Sequence, residues 1–200
     1  MKTESEVAIV QVSFDVDQIS AYLHWGIFDG EGNKRSDMYP PFGRHAGALH
    51  LREGDSIGIE VTAYGDADSG SLVTINILDA MFYSVPHGNG TLHSAPSPFS
   101  AVRATMPIGQ WAPAEACETI KVHGKRYRTV VQRSLTPLKV VEQDGRWKFS
   151  LILTVAIERE IRKGKARRDI RVFVFDPEAE VGSGTEPRPR HDERDGVGGA

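Results

Sequence analysis

The feature that most constrains this chain is a strict alternation of side-chain types between positions 147 and 158. Every second position there carries a large apolar residue, namely Trp147, Phe149, Leu151, Leu153, Val155 and Ile157. Successive side chains of an extended strand point to opposite faces, so a period of two buries one face and leaves the other to solvent. The segment therefore predicts one long β-strand with a single buried face.

The same period recurs along most of the chain, and helical patterns are few. It predicts further strands at 10–14, 19–27, 57–61 and 73–77, and shorter ones at 119–123, 127–133, 138–142 and 169–175. About eight to ten strands at this spacing indicate an all-β chain folded as an antiparallel two-sheet sandwich. Of the known arrangements, we favour an immunoglobulin-like sandwich over a jelly roll.

Two turns order the strands of the C-terminal half. The pair Asp144-Gly145 is typical of a tight hairpin, and it predicts that 138–142 pairs antiparallel with the strand that begins at Trp147. Gly164 interrupts a run of charged residues and predicts the tip of a second hairpin, which leads into 169–175. This last strand is apolar on both faces, so we expect it in a central position of its sheet.

Length and composition indicate one domain. The chain has 200 residues, of which 40% are hydrophobic and 26% charged, and this is enough apolar material for one sizeable core. We predict a single β-sandwich domain over residues 1–178 and a disordered tail of acidic, basic, Gly and Pro residues over 179–200. From 182 onwards Val197 is the only sizeable apolar residue, too little to form a core.

Charge and cysteine content limit the partners and the compartment. The net charge of -3 gives no excess of cations for phosphate contacts, so we predict no nucleic-acid partner. Cys117 is the only cysteine, which excludes an intrachain disulfide and fits a reducing compartment. Residues 1–14 alternate in polarity, unlike a signal peptide, and no apolar run approaches the ~20 residues that span a bilayer. We therefore predict a cytoplasmic protein without a membrane partner.

Histidines on two segments are the candidate metal ligands. His45, His50 and Glu53 lie within 44–55, and two imidazoles with a carboxylate form a suitable ligand set for zinc or iron. Five residues separate the two histidines, which would place them on opposite faces of a continuous strand, so an exposed turn is the alternative. His87 and His93 lie on a Gly- and Pro-rich loop that could close over a ligand or simply connect the sheets. We predict no cofactor.

Three other groups have a functional and a structural interpretation. A basic cluster could bind phosphate or an acidic partner, or form a solvated hairpin tip. Cys117 could be a nucleophile assisted by His123, or a small apolar core residue. Aromatic residues beside the 86–113 loop could form a stacking platform for a sugar, or pack the loop. The basic cluster comprises Arg159, Arg162, Lys163, Lys165, Arg167, Arg168 and Arg171, and the aromatic group comprises Phe82, Tyr83, Phe99 and Trp111.

The last predicted strand ends in a recognisable motif. Residues 173–182 read FVFDPEAEVG, and Glu186-Pro187 follow. This resembles the terminal motif of the DP-EP family of small bacterial proteins. The resemblance implies a β-sandwich and a bacterial origin, and it transfers no catalytic or binding residue. In physical terms, Pro177 lacks an amide donor, so we expect it to end the ladder, with Glu178 and Glu180 carrying the chain away from the sheet edge.

No residue spacing in the chain fits an established catalytic motif such as Gly-x-Ser-x-Gly or His-Glu-x-x-His. We therefore favour a non-enzymatic interaction or assembly module, acting as a homo-oligomer or with a protein partner. Its distinguishing feature would be a contiguous apolar patch on an exposed sheet face, with residues such as Ile152 or Phe173. The alternatives are a small-molecule or metal-binding enzyme with a histidine-lined loop site and a glycan-binding module.

Overall fold

The computed structural model of the protein describes residues 7–40, 47–68, 72–86, 95–142, 144–162 and 164–181. Within these ranges the chain is all-β and contains twelve strands. None of this part of the chain forms a helix of the length and apolarity that crossing a membrane requires. The strands are β1 (Val7–Asp15), β2 (His24–Phe28), β3 (Ala48–Leu51), β4 (Ser56–Asp66), β5 (Leu72–Pro86), β6 (Thr105–Pro107), β7 (Glu118–Val122), β8 (Lys125–Arg133), β9 (Leu138–Lys139), β10 (Gly145–Arg162), β11 (Lys165–Phe175) and β12 (Glu178–Val181).

Sheet A has the strand order β2-β1-β4-β8-β7, with β9 beside β4. β1 pairs antiparallel with β2 and parallel with β4. A parallel pair requires a crossover, and here the chain passes through β2 and β3 before it returns as β4. The predicted alternation places every second residue of β1 in the core: Ala8, Val10, Val12 and Phe14.

Sheet B has the strand order β3-β12-β10-β5-β6, with β11 beside β10. Its organising element is β10, which has 18 residues. On one side β10 pairs antiparallel with β5, and on the other side it pairs first with β12 and then with β11. β12 pairs parallel with β3. The longest alternating segment of the sequence thus becomes the central strand of this sheet.

The buried faces of the two sheets share one apolar core. Phe14 of sheet A stacks on Phe173 of sheet B, with ring centroids 4.2 Å apart. Trp147 is fully buried, and its indole N–H donates to the Ala95 carbonyl at 2.9 Å, so its polar atom is satisfied. The prediction of an all-β, two-sheet sandwich is confirmed, with two parallel strand pairs among the antiparallel ones. The immunoglobulin-like arrangement stays a prediction.

The segment 138–142 pairs with sheet A, so the predicted hairpin with β10 is wrong. Leu138 lies opposite Ile57 of β4, and the amide of Val140 donates to the Asp55 carbonyl at 2.8 Å. The edge of β10 that this segment would have used is occupied by β12. Gly145 lies opposite Val181 instead, and a side chain at 145 would collide with the ring of Trp147, because a Cβ atom there would lie 2.3 Å from the indole.

The predicted strand 19–27 is divided between the two sheets. Its second half forms β2 in sheet A, whereas Tyr22 forms a parallel bridge with Val174 in sheet B. The side-chain amide of Gln18 donates to the carbonyls of Ser20 and Tyr22, at 2.8 and 2.9 Å, and so shapes this corner. Local hydrogen bonds of this kind compete with a continuous ladder, which explains why the strand is interrupted.

The hairpin predicted at Gly164 joins β10 to β11, and Gly164 has the positive φ of 80° that a tight turn requires. The predicted central position of β11 is wrong. On its second side, the described strands leave it without a partner except for the bridge at Tyr22. Its outward residues Ile170 and Val172 are exposed. The second apolar face of β11 therefore lies on an uncovered surface, and it does not indicate a central strand.

The C-terminal segment re-enters the sandwich instead of leaving it. Residues 178–181 form β12 between β10 and β3, with Ala179 and Val181 buried in the core. The expectation that the chain leaves the sheet edge after Pro177 is therefore wrong. The sandwich extends at least to Val181, beyond the predicted domain end at 178, and the remainder of the predicted tail, from 182 onwards, lies outside the described residues.

Candidate functional site

Two of the five predicted metal ligands lie in the described part of the chain. His50 belongs to β3, and its amide donates to the Met38 carbonyl at 2.7 Å. Glu53 is exposed in the following turn, where the carboxylate of Asp55 accepts a hydrogen bond from the Arg52 amide at 2.7 Å.

The other three candidate ligands, His45, His87 and His93, lie outside the described residues. Among the residues that are described, no three His, Cys, Asp or Glu side chains come together as a metal-binding group. The metal ligand set therefore stays a prediction.

The other predicted groups are dispersed. Cys117 and His123 lie at opposite ends of β7, so the histidine cannot serve the thiol as a base. The Sγ atom of Cys117 instead accepts a hydrogen bond from Nε of Arg128 at 3.2 Å. Phe82 and Phe99 are buried in the core, whereas Tyr83 faces outwards, so these aromatic residues do not form one stacking platform.

Three residues of the basic cluster have partners within the chain. Arg159 reaches the loop after β1, where it contacts Asp17 and the Val16 carbonyl. Arg171 donates to the same carbonyl at 3.3 Å and covers the Phe173 ring at 4.7 Å. Arg167 pairs with Asp169 at 2.7 Å. Arg159 and Arg171 thus fasten the β10–β11 hairpin to the loop after β1, whereas the Arg167 pair lies within β11.

The outward face of sheet A contains a polar, hydrogen-bonded row. A row of neighbouring positions crosses it through Gln11, Glu60 and Arg133. The Gln11 amide donates to one carboxylate oxygen of Glu60 at 2.5 Å, and Nε of Arg133 donates to the other at 2.6 Å. Arg133 also pairs with Glu115. Glu60 is buried, and these hydrogen bonds compensate its carboxylate for the loss of water.

The pKa values on this face reflect the same arrangement. Burial, with the negative charge of Glu60 as the second cause, raises the pKa of Tyr64. Partial burial opposes the charged form of Arg133, but the carboxylates of Glu60 and Glu115 outweigh it and raise the pKa of that guanidinium. Glu60, Arg133 and Glu115 therefore form one ionic network on this face.

The outward face of sheet B carries apolar residues among charged ones such as Lys148, Asp79 and Glu158. One row of neighbouring positions crosses it from the Tyr22 bridge through Val174, Ile152 and Met81 to Pro107. Further apolar residues flank this row on β5 and β11. We call the whole surface the outer strip and define it as Tyr22, Met81, Tyr83, Val85, Pro107, Ile152, Ile170, Val172 and Val174.

Several members of the outer strip are strongly exposed. Tyr22 is 67% exposed, Ile170 63%, Val85 61% and Val172 56%. Isolated apolar side chains on a surface are normal, but a contiguous apolar row across a sheet indicates a site of contact with another surface. The outer strip is thus the strongest candidate for a functional surface.

Sequence reasoning found this surface only in part. Ile152 was expected on an exposed apolar face, and it lies at the centre of the outer strip. Phe173 was expected there too, but it is fully buried, because it lies in register with Leu153 on the inner face. The apolar second face of β11, which on sequence alone predicts a central strand, is in fact the signal of an uncovered surface.

A mostly apolar groove of about 380 Å³ lies where β6 and β9 approach each other. Its walls include Phe99, Met106, Ile108 and Leu138. Among its described lining residues only Lys139 is ionisable, so the groove lacks the acid and base pair that general catalysis uses.

Neither a family model nor a curated protein matches the sequence. Among solved structures, the chain is similar to the crystal structure of the inclusion body protein PixA from Burkholderia cenocepacia. The two share 9% sequence identity, with 91% of this chain and 99% of that chain covered, at a TM-score of 0.34. The resemblance to the DP-EP family stays a prediction.

Proposed function

We propose that this chain is a non-enzymatic assembly module whose copies associate through the outer strip of sheet B. The apolar row from Tyr22 to Pro107 carries this proposal. Burial of apolar surface is the main driving force of protein association, and water would otherwise remain in contact with these side chains. The cytoplasmic location, the bacterial origin and the DP-EP resemblance belong to the same proposal.

The size of the outer strip supports an interface with protein. Its exposed side chains present on the order of 500 Å² of apolar surface, which is within the range of the largest apolar patch on a typical monomer, and such patches often have a function. A stable protein interface buries about 800 Å² on each partner, and the polar rim around the strip would supply the remainder. A small ligand would need a concave pocket, whereas the outer strip lies on the face of a sheet.

A matched pair of substitutions tests the proposal. Val172→Asp places a charge on the outer strip, whereas Val122→Asp places the same charge at an exposed valine of β7 in sheet A. We expect sedimentation equilibrium to show association of the wild-type protein and of Val122→Asp. Val172→Asp should weaken that association by about tenfold or more, because a buried, unpaired charge is costly.

Two results would contradict the proposal. One is a wild-type protein that remains monomeric up to about 500 µM, since an apolar interface of useful affinity would be populated well below that concentration. The other is equal weakening by both aspartate variants, which would place the interface elsewhere. Circular dichroism of each variant confirms that the sandwich is folded.

A further inference from the structure

One edge of β11 presents backbone groups that point away from its partner strand β10. At the end of this edge the amide of Val174 donates to the Ala21 carbonyl at 2.8 Å, and the Val174 carbonyl accepts from the Leu23 amide at 3.0 Å. Both backbone groups of Val174 therefore point away from β10. Because this direction alternates along a strand, the N–H and C=O groups of every second residue back to Arg168 point the same way.

We call this side of residues 168–172 the free edge of β11. In the described part of the chain, Arg168, Ile170 and Val172 have no backbone partner on that side. The pairing of β11 with β10 continues without a bulge through these positions, so the free edge is regular. It offers N–H and C=O groups in a row at the spacing of a strand, which is a template for the addition of another strand.

The side chains along the free edge are mainly basic. From 165 to 171, β11 has four cations and one anion. The anion, Asp169, already pairs with Arg167 at 2.7 Å. Arg168 is exposed and forms no ion pair among the described residues.

The carboxylates of β10 do not cancel this charge. Glu158 lies in register with Arg168, and Glu160 accepts a hydrogen bond from the Gly164 amide at 3.1 Å. Both belong to the strand behind β11 and lie further from the free edge. Over the whole hairpin, residues 158–171, seven cations stand against three anions. A segment that approaches the free edge therefore meets an excess of positive charge.

We infer that an extended acidic segment of another protein adds to the free edge of β11 as a further strand of sheet B. Its backbone would bond the free groups of Arg168, Ile170 and Val172, and its carboxylates would face the basic side chains. Apolar side chains at its alternate positions would cover Ile170 and Val172, which are 63% and 56% exposed. A second copy of β11 would fit less well, because its own cations would oppose the pairing.

A peptide probe tests this inference. The fluorescein-labelled peptide VEVTEE has two valines to cover the apolar side chains and three glutamates to face the cations. We expect fluorescence anisotropy to give a dissociation constant of about 100 µM or lower. The peptide VKVTKK should bind at least about tenfold more weakly, because its charge has the same sign as the hairpin. Equal binding of the two peptides would overturn the acidic specificity.

Backbone methylation distinguishes strand addition from simple attraction between charges. Successive N–H groups of an extended peptide point alternately to the neighbouring strand and away from it. Two further probes carry N-methyl groups on one or the other of these alternating sets of VEVTEE. We expect one probe to lose about tenfold or more in affinity and the other to stay within about threefold of the parent. Similar affinities for both methylated probes would overturn strand addition.

Charge variants locate the site. Arg168→Glu should weaken binding of VEVTEE by about tenfold, and Arg168→Gln, which adds no carboxylate beside Glu158, by about threefold. Lys125→Glu is the matched control, because it reverses an exposed cation on β8 of sheet A and should leave the affinity unchanged. Equal weakening by Arg168→Glu and Lys125→Glu would overturn the assignment to the free edge. Circular dichroism of each variant confirms that the sandwich is folded.

One more variant separates this inference from the proposed function. Val85→Asp changes an exposed residue of the outer strip on β5, away from β11. We expect this variant to lose self-association and to bind VEVTEE like the wild-type protein. Failure of the wild-type protein to bind the probe would overturn strand addition and leave the assembly module in place. Probe binding by a wild-type protein that stays monomeric would support strand addition and contradict the assembly module.

Discussion

The outward faces of the two sheets are built from the same two-residue alternation, yet the central rows of the two faces differ in chemistry. Across sheet A, Gln11, Glu60 and Arg133 form a row joined by hydrogen bonds of 2.5 and 2.6 Å. Across sheet B, the equivalent central row contains Val174 and Ile152, whose side chains can form none. The polar row is satisfied within the chain, whereas the apolar row can only be satisfied by another surface.

This difference indicates which side of the sandwich has a partner. A face that satisfies its own charges gains little from contact with protein, because burying it would cost desolvation. An apolar face gains from any contact that removes water. We therefore expect substitutions on sheet A to change folding stability, and substitutions on the outer strip to change association.

The largest expected effect is a difference in unfolding free energy between substitutions on the inner and the outer face of β11. Phe173→Ala should cost about 3–5 kcal/mol of unfolding free energy, because it empties a fully buried ring position. Val172→Ala, one residue away on the exposed face, should cost less than about 0.5 kcal/mol. Urea unfolding of monomeric protein measures both. Equal costs would mean that Val172 is covered within the monomer.

The next prediction compares the stability effects of substitutions at the centre of the polar row on sheet A and of the apolar row on sheet B. Glu60→Ala should destabilise the protein by about 1–3 kcal/mol, because the donors of Gln11 and Arg133 lose a buried acceptor. Ile152→Thr should cost less than about 1 kcal/mol in the same urea experiment while weakening association. A larger loss of stability from Ile152→Thr than from Glu60→Ala would contradict the contrast between the faces.

Temperature distinguishes an apolar interface from an ionic one. Because apolar burial weakens on cooling, the association constant of the wild-type protein should fall by about threefold between 25 and 5 °C. Sedimentation equilibrium at the two temperatures measures the change. Stronger association in the cold would indicate that the contact is made through charged groups and not through the outer strip.

The smallest effect concerns alkaline stability on sheet A. The pKa of Tyr64 is raised, so the folded state holds its proton more tightly than the unfolded state. Stability from this residue is therefore present below about pH 10 and is lost as the pH rises through the raised pKa. Thermal unfolding at about pH 8 and pH 10.5 should show a smaller alkaline loss for Tyr64→Phe than for wild type. An identical loss in both proteins would exclude a contribution from Tyr64.

Most strands could be predicted from local alternation, but their pairing could not. The pattern from Trp147 to Ile157 identified the central strand of sheet B, because a two-residue period can be recognised from the local sequence alone. The partner of 138–142 was mispredicted because Asp144-Gly145 indicates a hairpin wherever its two flanking strands are free to pair. Here β12, which comes later in the chain, occupies the required edge.

The candidate surface was predictable only in outline. Ile152 followed from the alternation, but the assignment of Phe173 required the register of β11 against β10. A shift of one residue exchanges the two faces of a strand, so sequence alone could not decide which apolar face of β11 was buried. Tyr22 joined the outer strip only through a bridge to a residue more than a hundred positions away.

The amino-acid sequence by itself determined that this chain forms strands with one apolar face, because side-chain alternation is a local property of an extended backbone. Tertiary structure alone decided which of these faces were covered. Covering depends on strand order and on crossovers such as the parallel pairing of β1 with β4, which bring distant segments together. The fold thereby left a hydrogen-bonded polar row on the outward face of sheet A and an apolar row on that of sheet B.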